Sequence, residues 1–240
     1  MEEPGYRRVL LKISGEGFSG KGGFGIETEP LTQIADTIEQ MHRLGTQVGV
    51  VNGAGNLVRG ARLSEKVGLR RFTADQMGML ATAINALALQ DALEAREIPV
   101  TTMAAANITG VCDPFHARHA RQALDDGRVL LLAGGTGNPY FTTDTCAALR
   151  AAEIGAELLI KATKVDGVFD RDPEKHPDAK LYDRLDFRQI LRDDLHVIDH
   201  AAITICRENR IDVIVCNLMS EGTVSRVVRG EAVGTLISNL

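Results

Sequence analysis

The chain predicts an α/β fold built on a mainly parallel sheet, and three features of the sequence carry that prediction. Short apolar runs read as buried strands: Val9–Ile13, broken by Lys12, then Thr46–Asn52, Pro99–Met103, Arg128–Ala133, Glu157–Lys161 and Asp212–Cys216. Continuous rather than alternating hydrophobicity is what a strand covered on both faces requires. These runs alternate with stretches of helical period, which is the order of βαβ units and of parallel pairing. Glycine and polar residues gather where the runs end: Lys12, Ser14 and Gly15; Gly53–Gly55; Gly134–Thr143; Lys161–Thr163. Ligands of open parallel sheets bind beyond the carboxyl ends of the strands, so these four ends predict one shared binding edge.

The length, 240 residues, suits one α/β domain over 1–240. Hydrophobic residues make up 44% and aromatics only 4%, with no Trp, so the core must be Ala, Val, Leu and Ile. A net charge of −5 argues against a chain-wide nucleic-acid surface. Cys112, Cys146, Cys206 and Cys216 form no CxxC pair and no metal-ligand spacing, so no metal site is expected and free thiols in a reducing cytoplasm are. Met1-Glu2-Glu3-Pro4 lacks the apolar core of a signal peptide, and no apolar stretch approaches the ~18 residues of a membrane span.

Each element follows in order. Lys12 interrupts its strand, and a lysine there is costly unless its ammonium reaches an anion at the strand end. It could equally snorkel to the surface. Gly17–Gly25 is too glycine-rich for anything but loop. Thr28-Glu29-Pro30 opens a helix to about Leu44, stopped by Gly45. Thr73-Ala74-Asp75-Gln76 reads as a capping box for a helix to about Arg96, with Met77, Leu80, Ile84 and Leu87 spaced by three and four. Asp113-Pro114 opens a helix to about Asp126, and Asp144–Ile154 a second, capped by Thr142 or Thr143. Residues 164–180 read as loop. Leu181–Asp194, Asp199–Asn209 and Glu221–Arg229 read as helices, and Gly234–Ser238 as a last strand.

Two glycine motifs are decoys. Gly15-Glu16-Gly17-Phe18-Ser19-Gly20 matches a dinucleotide fingerprint, but that fingerprint needs a helix to begin at its glycines, and here the helix waits until about Pro30. Gly15 to Lys21 imitates a P-loop, yet Gly22 stands where a Mg²⁺-binding hydroxyl is required. The segment Gly134–Asp144 is more informative. Connections between strand and helix are usually short, so ten residues dense in hydroxyls, amides and bare N–H groups favour a ligand loop. Arg59, Arg62, Lys66, Arg70 and Arg71 face one acid, Glu65; such runs are usually solvated, but Arg59 follows the Gly53–Gly55 turn closely enough to fork onto a phosphate. Asp75 either complements a helix start or accepts ribose hydroxyls. His116 and His119 read as surface helix residues.

Several short motifs then stand in a telling joint order. They are Leu11–Glu16, Gly23–Ile26, Gly55–Gly60, Asp75–Thr82, Gly110–Asp113, Thr136–Asp144, Lys161–Phe169 and Gly234–Ile237. In these the chain resembles the amino acid kinase family, and within it the bacterial members that phosphorylate UMP, from about Arg8 to Ile237. The resemblance implies a three-layer α/β/α sandwich and transfer of a phosphoryl group from ATP to UMP with Mg²⁺. It implies that Lys12, Ile13, Ser14, Gly15, Gly55 and Arg59 hold ATP phosphates, and that Thr163, Phe169 and Asp172 meet the base and ribose side. It places UMP at Ala54, Asp75, Thr136, Gly137, Asn138, Pro139, Tyr140, Phe141, Thr142 and Thr143. Gly20, Lys21, Gly22, Gly23, Phe24 and Gly25 correspond to a loop tied to GTP activation in some members, with UTP as inhibitor. A homohexamer is implied, with helix 73–96 as an interface.

The residues agree with that chemistry. A phosphate acceptor is already ionised at neutral pH, so no general base is needed and the lack of a well-placed His is expected. Lys12, Arg59 and Lys161 would supply positive charge and Asp144 would orient them or the metal. One departure stands out: Asn52-Gly53-Ala54-Gly55 replaces an apolar residue and three glycines. If position 54 needed φ > 0, alanine would cost roughly 1–2 kcal/mol there. Two other readings share the fold class: a kinase of carboxylates or carbamate, and a non-catalytic oxyanion-storage protein.

Overall fold

The computed structural model describes residues 5–20, 23–58, 68–173, 175–193, 195, 197–217, 220 and 222–239. Its strands are β1 (Arg8–Ile13), β2 (Gln47–Asn52), β3 (Val100–Ala104), β4 (Asp113–Pro114), β5 (Val129–Ala133), β6 (Leu158–Thr163), β7 (Arg184–Asp186), β8 (Asp212–Asn217) and β9 (Thr235–Ser238). They form one sheet in the order β4-β3-β5-β2-β1-β6-β8-β9-β7. Every pairing is parallel except β8 with β9.

Helices cover both faces, as the continuous apolar runs predict. Successive strand residues point to opposite faces, so β1 sends Val9, Leu11 and Ile13 into one core and Leu10 into the other. The first core takes α1 (Thr28–Arg43), α2 (Arg71–Glu94) and α7 (Thr223–Val228) through Ile38, Leu89 and Val227, among others. The second takes α3 (Ala117–Asp125), α4 (Thr143–Ile154), α5 (Phe187–Arg192) and α6 (His200–Asn209) through Leu124, Ala147, Ile190 and Ile203. The chain leaves β1 toward β2 and returns on its other side at β6. That reversal opens a crevice above the carboxyl ends of β1 and β6. No described helix is long and apolar enough to cross a membrane.

Four local expectations are corrected. The capping box at Thr73–Gln76 does not form: α2 begins at Arg71, and Arg70 precedes it without a side-chain cap. Asp113-Pro114 is not a helix start but an edge strand beside Met103 and Ala104, a position where proline's missing N–H does no harm. The helix there begins at Ala117. Leu181–Asp194 divides, because Leu181 bridges to Phe169 and Arg184–Asp186 pairs with Leu236–Ser238, leaving helix only from Phe187 to Arg192. Gly15–Phe18, partly inside the expected loop, makes a 3-10 turn closed by Gly17 N–H to the Ser14 carbonyl. The stripe Met77, Leu80, Ile84 and Leu87, whose spacing marks one face of α2, faces outward, with Leu80 52% and Ile84 53% exposed. The buried side of α2 is instead Ala74, Ala83, Ala86, Leu89 and Leu93. Small residues let the helix lie close to the sheet.

Candidate active site

Lys12 and Lys161 are register partners on β1 and β6, on the face that carries α4. Two like charges directly opposite on neighbouring strands repel each other unless something lies between them. Asp144, in the first turn of α4, is that group. Its Oδ1 lies 2.9 Å from Lys12 Nζ and its Oδ2 2.5 Å from Lys161 Nζ, and all three side chains are only 13–14% exposed. Lys161 also donates to the Val197 carbonyl. Burial opposes ionisation of Asp144, but the two lysine charges and their hydrogen bonds outweigh it, so its carboxyl titrates below its ordinary value. Burial pulls Lys161 below the ordinary lysine range, against the support of Asp144 and with the repulsion of Lys12.

The sequence builds this centre by simple means. Ala147, Ala148 and Ala151 are fully buried, so α4 sits close to the sheet and a short aspartate reaches both lysines. Thr142 caps α4, its Oγ1 accepting from the N–H of Asp144 at 3.1 Å and of Thr145 at 3.2 Å. Asp199 holds that cap from the far side. Its Oδ2 accepts from Thr145 Oγ1 at 2.9 Å and from Thr142 Oγ1, while its Oδ1 caps α6 through Ala202 N–H. Sequence reading sees Asp199 only as a helix start; its second oxygen's partners, 57 and 54 residues away, carry no local signal.

Beside the charged centre the β1 and β2 turns are zipped together. Gly53 N–H donates to the Ile13 carbonyl at 2.8 Å. A Cβ on Gly15 would lie 2.2 Å from the Gly55 nitrogen, so only glycine fits there. Ala54 is not among the positive-φ residues, so its conformation is ordinary and the departure from three glycines carries no backbone strain. Beneath the turns Asn85 Nδ2 donates to the Gly53 carbonyl at 2.8 Å and pairs reciprocally with Asn56 at 2.8 and 3.0 Å. Asn56 in turn donates to the Gly25 carbonyl at 2.7 Å. The loop containing Gly20, Gly23, Phe24 and Gly25 is thereby tied to the phosphate-type turns. No α-helix starts at Gly15–Gly20, which disposes of the dinucleotide and P-loop motifs as such.

A cavity of about 280 Å³ opens next to these turns. Its walls include Ala54, Gly55, Asp75, Thr136, Asn138, Phe141, Thr142 and Thr143, a set drawn from the turn after β2, from α2, and from the loop before α4 together with that helix's first residue. Thr136 Oγ1 accepts from Asn138 N–H at 3.1 Å and fixes the start of that loop. Asn52, buried at the end of β2, also lines the cavity and donates to the Thr82 carbonyl at 2.8 Å. Asp75 is neither a cap nor free. Arg71 Nε reaches both its oxygens, at 2.7 and 2.9 Å, and Tyr140 N–H donates to Oδ2 at 2.9 Å. Tyr140 holds φ at 72°, a left-handed conformation that costs a residue with a Cβ roughly 1–2 kcal/mol. A charge-assisted bond of about 1.5–3 kcal/mol is enough to hold it there.

Of the remaining expected site residues, Thr163 ends β6 two residues beyond Lys161 and accepts from Val165 N–H at 3.2 Å. Phe169 and Asp172 lie on the segment that follows, with Phe169 bridged to Leu181. Lys164 crosses to Glu16 at 3.0 Å and so joins the β6 loop to the β1 loop. Arg59, Lys21 and Gly22 lie outside the described residues, as do Arg62 and Lys66 of the basic run. Among the described residues no group of three or more His, Cys, Asp and Glu side chains is arranged to hold a metal ion.

The geometry thus joins two cations, held by one carboxylate, to bare-backbone turns and a polar cavity. The uridylate kinase of Methylococcus capsulatus is 50% identical over 237 residues, 99% of either chain. That of Vibrio cholerae is 48% identical over 238 residues, covering 99% of this chain and 98% of its own. Among solved structures, the UMP kinase of Bacillus anthracis superposes with a TM-score of 0.95 at 35% identity, over 98% of this chain and 96% of its own. The uridylate kinase of Archaeoglobus fulgidus gives 0.75 at 33% identity, over 96% and 99%. The amino acid kinase family model matches residues 7–217, and with these near-full-length relatives beside it, the chain belongs to the amino acid kinase family.

Proposed function

We propose that this chain is a UMP kinase: it transfers the γ-phosphoryl group of ATP to UMP, giving ADP and UDP. The observation that carries the chemistry is the Lys12–Asp144–Lys161 bridge, whose aspartate directly follows the cavity-lining residues Thr142 and Thr143. The near-full-length likeness to uridylate kinases supports the acceptor. An oxygen of the UMP phosphate attacks the γ-phosphorus in line, and the bond from that phosphorus to the β–γ bridging oxygen breaks with its electron pair leaving on ADP. Since the nucleophile is already anionic, the work of the protein is positioning and charge neutralisation.

In this reading Lys12 and Lys161 meet the charge that builds on the transferring group, joined by Arg59. Asp144 keeps the two ammonium groups apart and aimed. Ile13, Ser14, Gly15 and Gly55 present backbone to the ATP phosphates, and Thr163, Phe169 and Asp172 take the base and ribose side. Ala54, Asp75 and Thr136–Thr143 hold UMP. Both Asp144 oxygens are already engaged by lysines, so the described residues suit a Mg²⁺ carried in on the ATP phosphates rather than caged by side chains. When bound, the ion neutralises phosphate charge. Loop 20–25 is read as regulatory, with GTP activating and UTP inhibiting; Asn56 links it to the turns. Four free, buried thiols suit a reducing cytoplasm. The one continuous sheet supports a single domain over the chain.

An ADP-release assay offered UMP, CMP and acetylglutamate tests the assignment. Turnover is expected with UMP at least about tenfold faster in kcat/KM than with CMP, and none above background with acetylglutamate. Turnover of acetylglutamate would transfer the chain to the carboxylate kinases. Turnover of none of them, with UMP still bound, would favour the storage reading.

The exposed stripe of Phe72, Leu80, Ile84 and Leu87 on α2 supports a homohexameric assembly in which this face is covered. Ile84→Asp is expected to lower the mass measured by light scattering from that of the hexamer to that of a smaller species. An unchanged mass would place the subunit contacts elsewhere.

A further inference from the structure

Resting on the reading of the 280 Å³ cavity as the acceptor site, we propose that Arg71 is a positioning residue for the acceptor, acting through Asp75 on the backbone of Tyr140. Arg71 does not itself line the cavity, and meets it only through Asp75, which does. Its guanidinium lies alongside the Asp75 carboxylate, with Nε 2.7 Å from Oδ1 and 2.9 Å from Oδ2. Contact with both oxygens fixes the rotation of the carboxylate, and in that rotation Oδ2 receives the Tyr140 N–H.

Tyr140 is where the loop needs this hold. It sits at φ 72° although it carries a Cβ, and its ring is mostly exposed, so core packing does not impose the conformation. The loop is anchored on either side, by the Thr136–Asn138 turn and by the Thr142 cap of α4. Release of the Tyr140 peptide would therefore be absorbed between those anchors, at Pro139 to Phe141. Phe141 and the neighbouring Asn138 line the cavity. The Arg71–Asp75 pair itself contributes little to folding, since the arginine side chain is 49% exposed. Its consequence is geometric and lies in acceptor binding.

The test is steady-state kinetics on the full chain with ATP and UMP varied separately, for Arg71→Gln, Tyr140→Gly and the double variant. Arg71→Gln is expected to raise KM for UMP about tenfold while kcat and KM for ATP stay within about twofold. Glycine takes a left-handed conformation unaided, so in the Tyr140→Gly background the same substitution is expected to raise KM for UMP less than about threefold. An unchanged KM in Arg71→Gln, or a rise that Tyr140→Gly leaves undiminished, would overturn the proposal. Absence of UMP turnover by the unmodified chain would overturn the acceptor reading instead.

Discussion

Lys12→Ala is expected to lower kcat by about 10²–10³-fold while leaving KM for UMP within about twofold. The reasoning is positional. Lys12 lies next to the Ser14–Gly15 turn, at the end of the central strand, on the side of Asp144 away from Lys161. Charge grows on the transferring group only as the reaction proceeds, so a cation aimed there stabilises the transition state more than either ground state. The 280 Å³ cavity is walled by other residues, and Lys12 is not among them. Stopped-flow or coupled ADP-release measurements over a range of UMP check this. A variant with kcat intact would remove Lys12 from the chemistry and leave it a structural partner of Asp144.

Asp144→Asn is expected to act on stability as well as rate. The substitution leaves two buried ammonium groups facing each other without the charge between them. Breaking a buried ionic arrangement by removing one partner costs about 3–5 kcal/mol. For a chain of this size that corresponds to a fall in Tm of roughly 10 °C. The pH dependence follows from the directions of the shifts. Asp144 has a folded pKa below its ordinary 3.8, so its stabilisation is fully present above that value and is lost as pH falls through the lower folded one. The asparagine variant should lack this acid-side loss. Lys161, already lowered by burial, loses the support of Asp144 in the variant, so the alkaline limb of kcat should move to lower pH. Thermal melts from pH 3 to 8 and a pH–rate profile read both effects. An unchanged Tm with the acid limb intact would mean that the lysines are neutralised by something other than Asp144.

The strands and the edge they share were legible because their signals are local. A run such as Val129–Ala133 has no other stable place than between two layers, and a glycine cluster such as Gly53–Gly55 cannot continue a strand or helix. The helix boundaries that failed did so for non-local reasons. Asp113-Pro114 has the residue types of a helix start, but Met103 and Ala104 offered it a strand edge. Arg184–Asp186 continues a helical pattern, but β9 offered it a ladder. Asp75 looked like a first-turn acid and was instead claimed by Arg71 and by Tyr140, 65 residues on. The outward face of the Leu80–Ile84 stripe is likewise invisible in its period, which reports that a face exists and not what covers it.

Composition, period and punctuation by themselves determined that this protein is a mainly parallel, doubly covered sheet with glycine turns and lysines at the strand ends. Those properties depend on neighbours within a few residues. Only the tertiary structure decided that Lys12 and Lys161 stand side by side, that Asp144 divides them, that Asp199 braces the cap beneath it, and that Arg71 reaches the loop before α4 through Asp75. Each of those contacts joins residues distant along the chain, and their energies exist only once strand order and register bring the groups within hydrogen-bonding distance.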